Sequence, residues 1–334
     1  MDDRILLAHG SGGKLSHELV QRVFLPSLAN PALNKLDDSA ILETSGHLAF
    51  TTDGYVVNPI FFPGGDIGKL AVCGTVNDLA MNGAKPLYLS LSAIIEEGFL
   101  LSELEQIVQS IKQAAEEAEV SIVAGDTKVV NRGQADKLFV TTSGIGIIPP
   151  GVDISGANAR VGDKVLLTGT VGDHGIAIMS QREGLRFSMT LESDCAPLNK
   201  LVSQMLETSS RIHCLRDPTR GGLATTLNEL ARQSNVGIVV EEAKIPVKEE
   251  VKAACELLGL DPVYVANEGK LVAVVDPADA DKILARMRLN SYGKDAALIG
   301  EVTGKHPGKV VMKTKFGPSR IVDMLSGELL PRIC

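Results

Sequence analysis

Along the chain, short stretches of alternating hydrophobic and polar residues give way to stretches where hydrophobic positions recur every three or four. "HLAFTTD" (47–53) alternates, so it predicts a strand that ends on an acid. "DIGKLAVCGTVNDLAMNGAKP" then predicts a helix, stopped by Gly83 at a C-cap position with Pro86 beyond it. "SELEQIVQSIKQAAEEA" predicts a second helix. Leu104, Ile107, Val108, Ile111 and Ala115 line one of its faces, and Ser102 with Glu105 makes a capping box. "KLFVTTSGIGII" returns to strand. "PPGVDISGANARVGD" (149–163) carries the turn residues of a linker and predicts the domain boundary.

The second half repeats the mixture. "KVLLTGTVGDHG" predicts a strand entering a glycine-rich loop, and "PLNKLVSQMLET", "LATTLNELARQS" and "ADADKILARMR" predict helices. "GIVV", "KLVAVV" and "VVMK" predict short β-branched strands. The expected class is therefore α/β (α+β), with helices layered on sheets in two domains, 1–150 and 151–325, and a mobile tail over 326–334. No short-period repeat is present, which excludes a solenoid.

Composition sharpens this picture. A chain of 334 residues exceeds one ordinary core, and 44% hydrophobic with 22% charged residues is globular. The net charge of −8 argues against a nucleic-acid or anionic-membrane partner. A polyanion such as ATP remains possible where cations bridge the two. The opening "MDDRILLAHGSGGK" is acidic, without the apolar core of a signal peptide, and no apolar run approaches a membrane span. A cytoplasmic protein is expected.

The five cysteines include no C-x-x-C pair. Cys255 lies on the helical stripe Val251, Ala254, Cys255, Leu258, and Cys73 sits inside a helical pattern. Cys195 and Cys214 have no acid or base arranged around them locally, so these four read as buried, inert thiols. Cys334 is different. It ends "GELLPRIC", a stretch with neither helical nor strand period, where another molecule can reach it.

Acids recur where a fold usually avoids them. Asp37 and Asp38 precede an apolar stretch, Asp53 ends a strand, Asp126 follows another, and Asp217 joins them from the second half. Asp78 sits mid-helix, four residues from Gly74 and seven from Ala71, on a face of small residues. Each acid alone also reads as a surface turn or cap residue, evenly so for Asp37 and less so for Asp78 in mid-helix, but converging carboxylates repel unless cations neutralise them. Mg²⁺ takes one or two carboxylates together with phosphate oxygens and waters. Two glycine-rich stretches, "HGSGGKLSHELV" with Lys14 and "DPTRGGLATTL" with Arg220, run into helices and present backbone N–H groups to an anion. Neither has P-loop or Rossmann spacing. The residues by themselves point to a Mg²⁺–nucleotide enzyme.

In order, "LDDSAI", "TTDGYVV", "NDLAMNGAKP", "AGDTKVV", "DPTRGG" and "NEGKLV" resemble the PurM-like, AIR synthetase-related ATP-dependent enzymes. With "AHGSGGK", "FFPGGDIGKLA", "GKDAALIGEV" and the terminal "PRIC", the resemblance extends over essentially the whole chain to the carbamoyl dehydratases of hydrogenase maturation. That resemblance implies two PurM-like α/β domains, the N-terminal ones pairing in a dimer. It implies ATP-dependent dehydration of an S-carboxamide on Cys334 to an S-cyanate, which supplies the CN ligand of a [NiFe]-hydrogenase iron centre. A HypF-type carbamoyltransferase would load the thiol, and a HypC–HypD complex would receive the cyano group. By motif position, Asp38, Asp78 and Asp217 resemble ligands of Mg²⁺, while Lys14, Asp37, Asp53, Asp126 and Arg220 fall to the nucleotide. Glu268 and Lys128 resemble the pair beside the modified Cys334, with Glu268 as base and Lys128 stabilising charge on oxygen. Read without the resemblance, Glu268 and Lys270 make an exposed ion pair before a strand. Selenophosphate synthetase is a rival reading, but it would need a thiol in the first glycine loop, where "HGSGGK" offers Ser11. Thiamine-monophosphate kinase has no use for a terminal Cys. A nucleotide-gated, non-catalytic scaffold is the alternative from another class.

Overall fold

The computed structural model describes residues 4–10, 14–35, 42, 44–182, 191–325 and 332–334. The first half opens with α1 (Lys14–Leu19), a π-helical turn over Val20–Phe24 and α2 (Leu25–Leu28). Strand β1 (His47–Tyr55), the two-residue strands β2 (Phe61–Phe62) and β3 (Gly65–Asp66), helix α3 (Ile67–Met81) and β4 (Lys85–Glu96) follow. Helix α4 (Leu101–Ala118), β5 (Ser121–Val130) and β6 (Leu138–Ile148) complete the unit. The larger sheet runs β1-β6-β4-β5; β4 and β5 are parallel and joined by α4, and its other pairings are antiparallel.

Burial alternates along β1. Thr51, Asp53 and Tyr55 turn towards α3, whereas Leu48 and Phe50 remain 52% and 69% exposed on the opposite face. The sheet therefore has one face covered by helix and one open.

Helix α3 is buried nearly all round, as a helix through the middle of a molecule must be. It packs on β1 and β6, on α4, and on elements of the second half. Asp66 caps it, its Oδ1 accepting from the N–H groups of Gly68 (2.8 Å) and Lys69 (3.0 Å). Gly83 ends it with φ +73°, as expected of a C-cap glycine. The expected face of α4 is buried, but the Ser102–Glu105 capping box is not formed. The helix starts at Leu101, after an extended Leu100 without a side-chain cap. Leu100 pairs in a β-bridge with Arg4, so a tertiary contact sets the start.

The second half contributes β7 (Lys164–Leu167), α5 (Asp173–Arg182), α6 (Asn199–Thr208), β8 (Ile212–Arg216), α7 (Gly222–Gln233) and β9 (Gly237–Glu241). Then come α8 (Glu249–Leu258), β10 (Val272–Val275), α9 (Ala280–Arg288), β11 (Ala297–Thr303), β12 (Val310–Lys313) and β13 (Ser319–Val322). Its sheet has the order β13-β12-β9-β11-β7-β10-β8, with β12 and β9 parallel and its other pairings antiparallel. Both faces are covered. Val165 and Leu167 join the core beneath α7, whereas Leu166 joins the one beneath α6 and α9. A further core unites the first domain with α5, α8, Cys195 and Ile333. That core ties the two halves and the last residues together.

Candidate active site

The acidic centre is assembled from both halves. On β1, Thr51 donates to Asp78 Oδ2 at 2.8 Å, and Asp53 Oδ2 accepts from the Tyr55 hydroxyl at 3.3 Å. Tyr55 can approach α3 so closely because Gly74 has no side chain; a Cβ there would lie 2.3 Å from the Tyr55 oxygen. Asp217 arrives from the loop after β8. Thr51, Asp78, Ser155, Arg216, Asp217 and Arg220 line a polar cavity of about 360 Å³.

Burial, then the neighbouring carboxylates of Asp217 and Asp53, push the Asp78 carboxyl up to about 7. Burial, with a contribution from Asp53, raises Asp217 to about 6. Carboxyls held this far above their ordinary range are under-neutralised, and a divalent cation would relieve them. Among the described residues no group of three or more His, Cys, Asp or Glu converges as a complete metal cage. Two carboxylates facing a cavity suit Mg²⁺, which draws its remaining ligands from phosphate and water.

The chain terminus lies alongside this centre. Residues 332–334 run along the backbone after β1: the N–H groups of Val56 and Asn58 donate to the carbonyls of Cys334 (3.2 Å) and Arg332 (3.0 Å). The Arg332 guanidinium donates to the Val56 carbonyl at 3.0 Å and pairs with Asp136. Ile333 is buried in the shared core. Of the tail expected to be mobile, residues 326–331 lie outside the described residues, and the last three are docked by these contacts, with Arg332 in the left-handed region at φ +53°. Burial pushes the Cys334 thiol up to about 12; Glu268 and Asp53 add to the rise and Arg220 opposes it. Such a thiol is neutral and unreactive by itself.

Glu268 is only 4% exposed, and its Oε1 has no hydrogen-bond partner. Burial first, then Cys195, Asp217, Asp194 and Asp53, hold its carboxyl well above the usual range. It does not make the exposed ion pair with Lys270 that its local sequence suggests. Lys270 pairs with Asp194 at 3.1 Å, and Asp194 accepts from the N–H groups of Glu268 (3.1 Å) and Gly269 (3.3 Å). Asn77, the residue before Asp78, donates to the carbonyls of Ala196 (3.1 Å) and Glu268 (3.3 Å) and accepts from Leu198 N–H at 2.7 Å. One asparagine thus fixes the acidic centre relative to Glu268.

Asp53, Asp78, Asp217, Arg220, Glu268 and Cys334 therefore come together. Asp126 and Lys128 do not join them within one chain. They are exposed, paired with each other at 3.0 Å, on the strand bordering the open sheet face. Asp37 and Asp38 lie outside the described residues, and Lys14 is described only in its backbone, at the start of α1. Thr51, Tyr55, Asn77 and Asp194 were not foreseen. Their roles depend on partners far along the chain, and the local clue was limited to polar residues inside hydrophobic patterns.

Family models for the AIR synthase related protein match this chain twice, the N-terminal domain over residues 36–148 and the C-terminal domain over 160–313. These define a two-domain protein of the AIR synthase related class. The carbamoyl dehydratase HypE of Cupriavidus necator is 55% identical over 333 residues, covering 99% of this chain and 95% of the relative. A crystal structure of HypE in complex with ATP superposes with a TM-score of 0.96 at 50% identity, covering 98% of this chain and 99% of the other. The HypE of a HypE–HypF complex superposes at 0.82 with 50% identity, covering 94% of this chain and 100% of the other. The chain belongs to the HypE carbamoyl dehydratase family.

Proposed function

We propose that this protein uses ATP to dehydrate an S-carboxamide on its own Cys334 to an S-cyanate. The observation that carries the reading is the terminal residue docked beside buried Glu268, whose Oε1 has no partner, and near Arg220 of the acidic cavity. An amide oxygen leaves poorly, so it must first become a phosphate ester. Transfer of the γ-phosphoryl group to the carboxamide oxygen supplies this, and phosphate then leaves as the remaining N–H proton is removed. The products are R–S–C≡N, ADP, phosphate and a proton. Glu268 is assigned the proton removal, since a carboxyl raised by burial is a stronger base than an ordinary one. Arg220 offsets negative charge near the thiol.

Asp78 and Asp217, with Asp38, would hold Mg²⁺, whose chemistry is to neutralise triphosphate charge during transfer. Asp37, Asp53, Asp126 and Lys14 are assigned to the nucleotide. The open sheet face with Leu48, Phe50 and Ile94 exposed supports pairing of the N-terminal domains in a homodimer. Lys128 borders that face, so its assigned role, stabilising charge on the carboxamide oxygen, rests on the second copy. The domain division at 150/151 follows the connection between β6 and β7.

A HypF-type carbamoyltransferase would load Cys334, and a HypC–HypD complex would accept the cyano group. No helix among the described residues is long and apolar enough to cross a membrane, and we place the reaction in the cytoplasm. The test is intact-mass analysis after incubation with the carbamoyltransferase, carbamoyl phosphate and ATP. Loss of one water from the carbamoylated tail, dependent on ATP, is expected. A carbamoylated chain that binds ATP and keeps its mass would overturn the reading in favour of a scaffold.

A further inference from the structure

The TGTVGDHG loop carries His174 to the first turn of α5, where it is completely buried. Its ring stands edge-on to Phe62, with centroids 5.5 Å apart. Nε2 lies 2.5 Å from the carbonyl oxygen of Ile333, and Nδ1 lies 2.8 Å from Ser193 Oγ. A carbonyl can only accept, so Nε2 carries the proton. Nδ1 is then bare and accepts from the Ser193 hydroxyl, whose oxygen accepts in turn from Cys195 N–H at 3.1 Å. Every donor and acceptor is used once, which fixes one neutral tautomer. Burial, which lowers the His174 pKa, favours that same neutral ring.

This contact differs from the rest of the tail's anchorage. Arg332 is held by groups towards the surface, including Arg182, which donates to its carbonyl at 2.9 Å, and Asp136. His174 instead grips the carbonyl immediately before Cys334, from within the core. Withdrawal of the tail leaves a buried N–H without its acceptor, which is unfavourable. A slip of the tail by one residue would present the wrong carbonyl.

We propose that His174, oriented by Ser193, is a positioning residue that clasps the Ile333 carbonyl and sets the depth at which the Cys334 group meets Glu268. The assignment rests on the reading of Cys334 as the substrate carrier. It makes the clasp matter for the dehydration step, with the tail inside, and not for loading, with the tail outside. His174→Phe keeps the ring and its packing but loses the donor. Iodoacetamide should alkylate Cys334 about tenfold faster in this variant, the equilibrium weight of one hydrogen bond. Carbamoyl loading should not slow, whereas ATP-dependent loss of water should slow about tenfold. His174→Gln, which can restore an N–H near the Nε2 position, should recover most of both effects.

The proposal is overturned if His174→Phe alkylates and dehydrates at wild-type rates. It is equally overturned if loading and dehydration slow together with a lowered melting temperature, since that outcome marks a merely structural histidine. A measurement independent of the variant's folding uses ¹⁵N-labelled full chain. The Nε2–H resonance of His174 should be protected from exchange there and lose protection in a chain ending at residue 331; an unchanged resonance would sink the clasp. The alkylation and resonance readouts use neither carbamoyl donor nor ATP. If both hold while even the wild-type chain never loses water, the dehydratase reading fails and the clasp stands.

Discussion

The acidic cavity and the tail groove both raise carboxyl pKa values, but they do so by different routes. Around Asp78, the raised carboxyl adds the crowding of Asp217 and Asp53 to burial, in a space open enough to admit a ligand. Around Glu268, burial dominates and one oxygen is left without a partner. Crowded charge is relieved by a cation, and a desolvated carboxyl by taking up a proton. The first region therefore suits a metal–triphosphate and the second suits proton transfer, a few side chains apart, with Asn77 fixing their relation.

The sharpest break of this comparison removes the group that only the groove serves. Deleting Cys334 should abolish cyanate formation and leave nucleotide binding unchanged, as read by intact mass and nucleotide titration. A lost nucleotide site would mean that the two regions are one. Glu268→Gln should slow nitrile formation by about a thousandfold, within the range of a removed general base. Carbamoyl acceptance and ATP binding should survive; cyanate at the wild-type rate would remove Glu268 from the chemistry.

Asp78→Asn should reduce ATP turnover about a hundredfold at limiting Mg²⁺. It should also alter the dependence of stability on pH. A carboxyl raised to about 7 binds its proton more tightly folded than unfolded. Its contribution to metal-free stability is thus full at low pH and declines as pH rises from about 4 to 7. Thermal melts without Mg²⁺ should show that decline in the native chain, and the Asn variant should flatten it. Identical melting curves would show that crowding at Asp78 is not felt. The smallest effect belongs to the half-exposed Arg332–Asp136 pair. Arg332→Ala should raise the alkylation rate of Cys334 only about two- to threefold, because such pairs contribute little. An increase as large as that expected for His174→Phe would move the main anchor of the tail to the surface.

Local pattern carried the elements whose hydrophobic period is strong. Helices α3, α4, α6, α7 and α9 and strands β1, β6, β9, β10 and β12 follow from alternation, stripe or glycine stop. β8 and β11 carried no separate expectation, since short mixed strands bounded by few turn residues look like neighbouring loop or helix; the 12-residue β4 ("KPLYLSLSAIIE") carried none either, although Leu89, Leu91, Ala93 and Ile95 alternate along it. The start of α4 misled for a related reason: Ser102 and Glu105 satisfy a local rule, but the bridge from Leu100 to Arg4 comes from a segment nearly a hundred residues away.

Local sequence properties were enough for the mixed α/β class and for the burial of Cys73, Cys195, Cys214 and Cys255, and they singled out Asp78, Asp217 and the terminal thiol as candidates. Composition, periodicity and motif order are local properties, and each residue carries them wherever it ends up. Only the tertiary structure decided which acids meet, because carboxyl pKa values depend on neighbours and on loss of water that no spacing encodes. It drew Glu268 away from the surface pair with Lys270 by giving that lysine to Asp194. It also turned an apparently unstructured terminus into a docked segment, since the acceptors and donors that hold residues 332–334 come from the segment after β1, from α5 and from the loop between β5 and β6. A three-residue segment has no period of its own to read, and it acquires structure only from the surface that receives it.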